Sequence, residues 1–234
     1  MLIVIILILM AKKKIAVLTG AGVSAESGLK TFRDSDGLWE GYNVQDVATP
    51  EAWMKDSALV LNFYNERRRS VLAAQPNAAH LGLAELERDF EVTIITQNID
   101  DLHERAGSSR VIHLHGEIFK RCSERNRKIV SEIRGDMQLD EFANDGGRWR
   151  PDIVWFGEPV PMMEVAAPIV AAGLGSYASS LAMRFVIDKK IPDVGHWRNL
   201  TVIEKPASEG VPELQGILRK NSSHEDAKTL SFFN

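Results

Sequence analysis

Cysteine is all but missing from this sequence: Cys122 is the only one in 234 residues. A disulfide framework is therefore excluded, and so is a zinc site built on four cysteines or two cysteines and two histidines. The expectation is a metal-free chain in a reducing, cytoplasmic setting. Charge of one sign is also scarce. Lys and Arg number 28 against 32 Asp and Glu, a net charge of −4, which leaves no clustered basic face for nucleic acid. No apolar run reaches the ~20 residues that cross a bilayer. The longest covers residues 1–10 and is followed, after Ala11, by three lysines. It lacks the preceding positive region and the small-residue cleavage site of a signal peptide. It reads as an extension outside the fold (residues 1–11), with Met10 a natural start, and removal of residues 1–9 is expected to leave activity intact. A monomer with no membrane or nucleic-acid partner is expected.

What is present suits one core with a small satellite, since 44% of the residues are apolar. Residues 15–19, 92–96, 185–188 and 200–203 are short apolar runs that read as buried strands. Residues 57–73 and 77–88 carry helical spacing between them, and 213–219 read as a last helix. Alternating strands and helices predict an α/β fold: a Rossmann-like parallel sheet with helices on both faces plus a small inserted lobe. The main domain spans 12–220, with small-lobe elements around 35–75 and 118–152 and a loop-like region from Trp39 to Pro50, and the polar tail over 221–234 is expected to fray.

The chemistry begins at Gly20-Ala21-Gly22-Val23-Ser24-Ala25, a glycine-rich turn between a strand and a helix. Such a turn brings backbone N–H groups close to a pyrophosphate, although alone it is equally a tight structural turn. Three further motifs follow in order: Gln97-Asn98-Ile99-Asp100, His115-Gly116, and Val154-Trp155-Phe156-Gly157-Glu158. Together with the longer run from Gly20 to Asp34, these resemble the signatures of the sirtuins, NAD-consuming protein-lysine deacylases. The resemblance implies that the acyl-lysine carbonyl attacks the nicotinamide ribose, and that His115 then serves as general base on a ribose hydroxyl. The implied products are free lysine, nicotinamide and O-acyl-ADP-ribose. It also implies roles for Asn98 and Asp100 in catalysis and for Gly20, Ala21, Gly22, Ser24, Ala25, Thr31, Phe32, Arg33, Trp39, Gln97 and Ile99 in holding NAD. On the adenosine side Gly175, Ser176 and Ala207 are implied. Val154, Phe156, Gly157 and Glu158 are implied to clamp an acylated peptide by strand addition.

Of the five histidines outside this set, three lie between its motifs. His113 lies two residues before His115, so on a strand both share a face; with no further cysteine, histidine or acidic cluster beside it, it reads as structural. His80 and His103 read as surface or capping residues.

Tyr64 and Arg67 lie at i and i+3 on the predicted helix and share a face. A phenol beside a guanidinium receives a carboxylate well, though a half-buried Tyr with a solvated Arg is the commoner arrangement. The run Phe63-Tyr64-Asn65-Glu66-Arg67 resembles the element of the sirtuin class that removes succinyl and malonyl groups, and Ala52 is expected to widen that pocket.

Two departures from the family stand out. The paired zinc cysteines are reduced to Cys122. After residues 166–172, the strand that leads into the adenosine-binding turn is cut short, with Gly175-Ser176 as a remnant. A lost central strand leaves backbone groups unpaired, which motivates the alternative of a catalytically weak or inactive binding protein. Residues 2–9 are β-rich, but their short tether to the first strand argues against their filling the gap.

Overall fold

The structure, a computed structural model, describes residues 4–9, 14–30, 38–39, 41–174, 183–191 and 199–231. Its elements in chain order are β1 (Val4–Leu9), β2 (Lys14–Thr19), α1 (Ala21–Ala25), the short strands β3 (Leu38–Trp39) and β4 (Tyr42–Asn43), α2 (Val44–Val47), α3 (Pro50–Lys55) and α4 (Ser57–Ala73). Then come α5 (Ala78–Glu85), β5 (Glu91–Thr96), α6 (Leu102–Arg105), β6 (Val111–His113), β7 (Gly116–Ser123), β8 (Val130–Glu132) and β9 (Trp149–Ile153). The chain ends with α7 (Met163–Leu174), β10 (Met183–Ile187), β11 (Leu200–Ile203) and α8 (Ala207–Ser231).

The main sheet runs β11-β10-β1-β2-β5-β6. The pairs β2–β5, β5–β6 and β10–β11 are parallel, whereas β1 is antiparallel to both its neighbours. Alternation along β2 sends Ile15 and Val17 to one face, where they meet Ala79 and Leu83 of α5 and Val211, Leu214 and Leu218 of α8. On the other face Ile95, Ile112 and Leu114 pack with Ala166 of α7. Helices on both faces and a small lobe are as expected. The lobe joins α2–α4 to the antiparallel sheet β8-β7-β9 around a core that includes Trp53, Phe63, Tyr64 and Trp155.

Three expectations change. The N-terminal run is no appendage, because β1 lies at the centre of the sheet and pairs Ile5 with both Val186 and Leu18. A short tether forbids a parallel replacement strand, which needs a long crossover; an antiparallel neighbour needs only a short connection. Deleting residues 1–9 therefore removes a central strand. The tail is not frayed at 221 either, since α8 is helical from Ala207 to Ser231. Lastly, the stretch after Trp39 is more than loop: it holds β4 and α2, the latter capped by Asn43, whose side chain accepts from Gln45 N at 3.0 Å.

Candidate functional site

A cavity of ≈ 450 Å³ opens beyond the C-terminal ends of β2, β5 and β6 and is roofed by the small lobe. This is where open α/β sheets place ligands. Ala21 and Ser24 line it after β2, Gln97, Asn98, Ile99 and Asp100 after β5, and His115 after β6. Trp39, Tyr64, Arg67, Val154, Phe156, Gly157 and Glu158 complete the predicted part of the wall. Lys30, Ala48 and Trp155 also line it; Trp155 occupied the unassigned position of the Val154–Glu158 motif.

Other assignments fall elsewhere. Gly20 and Gly22 shape the turn without facing the cavity, although Gly20 O accepts from Asn98 Nδ2 at 3.1 Å. Ala25 is likewise off the wall. Ala52 is buried in the small-lobe core, and the small residue on the cavity is Ala48; the choice between these two alanines depends on how α2 and α3 pack. Ala207 opens α8, and its N–H donates to Glu26 Oε1 at 2.8 Å, so that backbone group is already used. Thr31, Phe32, Arg33, Gly175 and Ser176 lie outside the described residues.

The catalytic candidates are fixed by backbone geometry. β6 ends at His113 and the chain turns into β7 at Gly116, whose φ is +83°. A Cβ at Gly116 would lie 2.0 Å from Asp152 O, so only glycine lets the turn press against β9 with His115 beside it. His115 Nδ1 bonds to Gln97 O at 3.1 Å. A carbonyl only accepts, so Nδ1 carries the proton and the neutral ring keeps its lone pair on Nε2. Burial lowers the His115 pKa, partly countered by that bond, which favours the neutral base. Asn98 Nδ2 also donates to Ser24 Oγ at 2.9 Å. Asp100 is 4% exposed, and burial raises its pKa against the opposing Ser24 hydroxyl and Leu102 N–H.

Because the chain turns after β6, His113 does not share a face with His115. It lies under the Gln97–Asp100 loop, on a second cavity of ≈ 290 Å³. His80 and His103 are both buried, not on the surface. His80 does cap α5, its Nδ1 accepting from Asn77 N at 3.3 Å, and desolvation brings its pKa to about 4.

At the far end, Trp155 Nε1 donates to the Tyr64 hydroxyl at 3.0 Å, and Arg67 donates to Lys30 O at 2.9 Å. Glu158 is a brace. It accepts from both Arg150 Nη atoms at 2.7 and 3.0 Å, from Arg127 at 3.0 Å and from Trp155 N at 2.8 Å. Burial would raise its pKa, but these partners hold it below the usual value. Arg150 in turn lies 3.4 Å over the Trp155 ring. In the small lobe Ser123 Oγ donates to Asp145 at 2.8 Å, while Glu124 takes Trp53 Nε1 at 3.1 Å and pairs with Arg148 at 3.0 Å. Cys122 is fully buried, and burial pushes its thiol up to about 11. Among the described residues, no group of three His, Cys, Asp or Glu side chains could hold a metal ion, and no helix is long and apolar enough to cross a membrane.

Comparison with known proteins agrees with this geometry. Residues 20–172 match the Sir2 family. An NAD-dependent protein deacylase of Bacteroides thetaiotaomicron is 48% identical over 88% of this chain and 98% of its own length. One from Helicobacter pylori is 43% identical over 92% of this chain and all of its own. A solved Sir2 homolog–NAD complex superposes with a TM-score of 0.69 at 33% identity, covering 88% of this chain and 89% of the other.

Proposed function

The chain belongs to the Sir2 family, and from that premise we propose that it is an NAD-dependent protein-lysine deacylase preferring succinyl and malonyl groups over acetyl. One observation carries the preference. Tyr64 is fully buried, and its oxygen accepts from the Trp155 indole, which can only donate. The phenol hydrogen is left to point into the cavity that Tyr64 lines, and desolvation raises the Tyr64 pKa so that the proton stays on. A buried donor left unmet costs about 1–3 kcal/mol. Tyr64 and Arg67 line the same cavity, and a terminal carboxylate on the acyl chain accepts from both.

NAD fits the opposite wall, where a buried carboxyl, a fixed amide and a hydroxyl (Asp100, Asn98, Ser24) stand together. Bound NAD would supply the electrophilic ribose carbon and the nicotinamide leaving group, so that acyl-lysine, NAD and water give free lysine, nicotinamide and an O-acyl-ADP-ribose. His115, neutral and with Nδ1 tied to Gln97, takes a hydroxyl proton at Nε2. Asn98 and Asp100 orient the groups around the bond that breaks. The N–H groups of Val154, Trp155 and Phe156 are bonded to His115 O, Glu158 Oε2 and Ala48 O, which leaves the Val154 carbonyl and the Gly157 N–H to pair with the peptide. The reading of an inactive binding protein is not favoured, since His115, Asn98 and Asp100 meet on one cavity.

The test compares succinyl-, malonyl- and acetyl-lysine versions of one peptide with NAD, following nicotinamide release. The acidic acyl groups should show a kcat/KM about tenfold or more above acetyl, as charged hydrogen bonds of about 1.5–3 kcal/mol imply. Equal or better turnover of acetyl-lysine would overturn the preference.

A further inference from the structure

We propose that His113 is a positioning residue for deacylation: clamped between the Glu104 carboxylate and the Asn98 carbonyl, it fixes the Gln97–Asp100 loop in its working geometry only while both ring nitrogens carry a proton.

The geometry is specific. His113 Nδ1 lies 3.0 Å from Asn98 O, and Nε2 lies 2.7 Å from Glu104 Oε1. A backbone carbonyl only accepts, and so does an ionised carboxylate. Satisfying both contacts requires two N–H groups on one ring, that is, an imidazolium. Neutral His113 has one, so a lone pair must face an oxygen and one of the two bonds is lost. The Nδ1 contact with Asn98 O is buried, while the Nε2 contact with Glu104 is part-buried, so water makes a poor replacement at the Asn98 end.

What hangs on the Asn98 end is the catalytic loop. The Asn98 side chain holds Gly20 O and Ser24 Oγ of the cofactor turn, its peptide carbonyl rests on His113, and Ile99 and Asp100 follow on the cavity wall. His113 touches the loop from beneath while lining the second cavity, so it acts through Asn98 and not on the reacting atoms.

Charged groups surround the ring from every element packed on it. Glu104 and Arg105 come from α6, with His103 beside them; Glu117 and Lys120 come from β7; Glu132 ends β8 and Arg134 follows it; Asp100 and Asp101 come from the loop. Burial alone would lower the His113 pKa, but Glu104 first, then Asn98 O and Glu117, bring the net shift above the ordinary value. The direction agrees with the two-proton state that the distances require. Turnover is then held below the folded pKa of His113 and lost as pH rises through it.

The inference concerns deacylation itself and is independent of the acyl preference, so the assay uses an acetyl-lysine peptide with NAD and reads kcat against pH. Wild type should lose kcat on the alkaline side with the slope of one proton. The same proton should appear in the ¹⁵N NMR titration of the His113 ring. Glu104→Gln offers an amide N–H to neutral His113 Nε2 and leaves Nδ1–H on Asn98 O, so it should remove the alkaline limb while keeping most of the neutral-pH rate. His113→Phe should lower kcat about 30-fold at all pH values, the scale expected when a catalytic group is misplaced. Should H113F fail to fold in thermal melts, the E104Q profile decides. An unchanged alkaline limb in E104Q, or a wild-type kcat in folded H113F, would overturn the proposal.

Discussion

The two halves of the main sheet make an instructive contrast. In the half formed by β2, β5 and β6 all strands are parallel, each ends in a motif, and the cavity wall is a direct readout of those ends. In the half formed by β1, β10 and β11, only β10 and β11 are parallel, and β1 enters from the N-terminus in the opposite direction. The first half carries the chemistry. The second half carries the closure of the core, with Phe185, Ile187 and Ile203 packing beneath α8. Local motif chemistry and global strand order are thus carried by separate parts of one sheet.

That division can be broken experimentally. Deletion of residues 1–9 has the largest expected effect: it strips backbone partners from both β2 and β10, a loss that outweighs a stability of about 5–15 kcal/mol. Cooperative unfolding should vanish in circular dichroism melts, together with activity. A truncated protein that melts and turns over like the full chain would restore the reading of a dispensable extension. His115→Ala in the first half should do the converse, cutting kcat by about 10²–10⁴-fold with an unchanged melting temperature. Next in size is Arg67→Met. It should reduce kcat/KM for succinyl- and malonyl-lysine by about 10–100-fold, as loss of a charged hydrogen bond implies, and leave acetyl-lysine within a few-fold. Equal losses on all three substrates would sink the carboxylate receptor. The smallest effect is the acid limb of the pH–rate profile. The base form of His115 is required and its pKa is depressed, so kcat should hold at neutral pH and fall only below about 6.5, the unperturbed value. A limb above that value would mean a group other than His115 is titrating.

How much of this was legible in the sequence follows the same contrast. Helix α4 has the bounds that its spacing predicts, Ser57–Ala73, and β2 and β5 fall where the apolar runs lie, because periodicity and turn residues are local signals. The motifs located most of the cavity wall for the same reason. β1 was misjudged because an apolar run carries no information about direction, and only an antiparallel pairing makes its short tether sufficient. α8 outruns its predicted bounds because its apolar contacts, Val211, Leu214 and Leu218, lie in its first half and a polar stretch extends the same helix. Ala48 and Trp155 were missed for a third reason. Which side of a residue faces a cavity is set by packing between α2, α4 and β9, and no spacing rule encodes it.

The hairpin of β1 and β2 also has a kinetic meaning. Ile6 must pair with Phe185, some of the most distant residues in the chain, and the loop that closes between them delays the contact. During synthesis β1 and β2 emerge long before β10 and present an apolar strand edge until residues 183–187 exist to cover it. Exposed edges of this kind invite pairing with other chains. The yield of soluble protein should therefore depend on how quickly β10 arrives, which makes the N-terminal strand a determinant of assembly as well as of the finished fold.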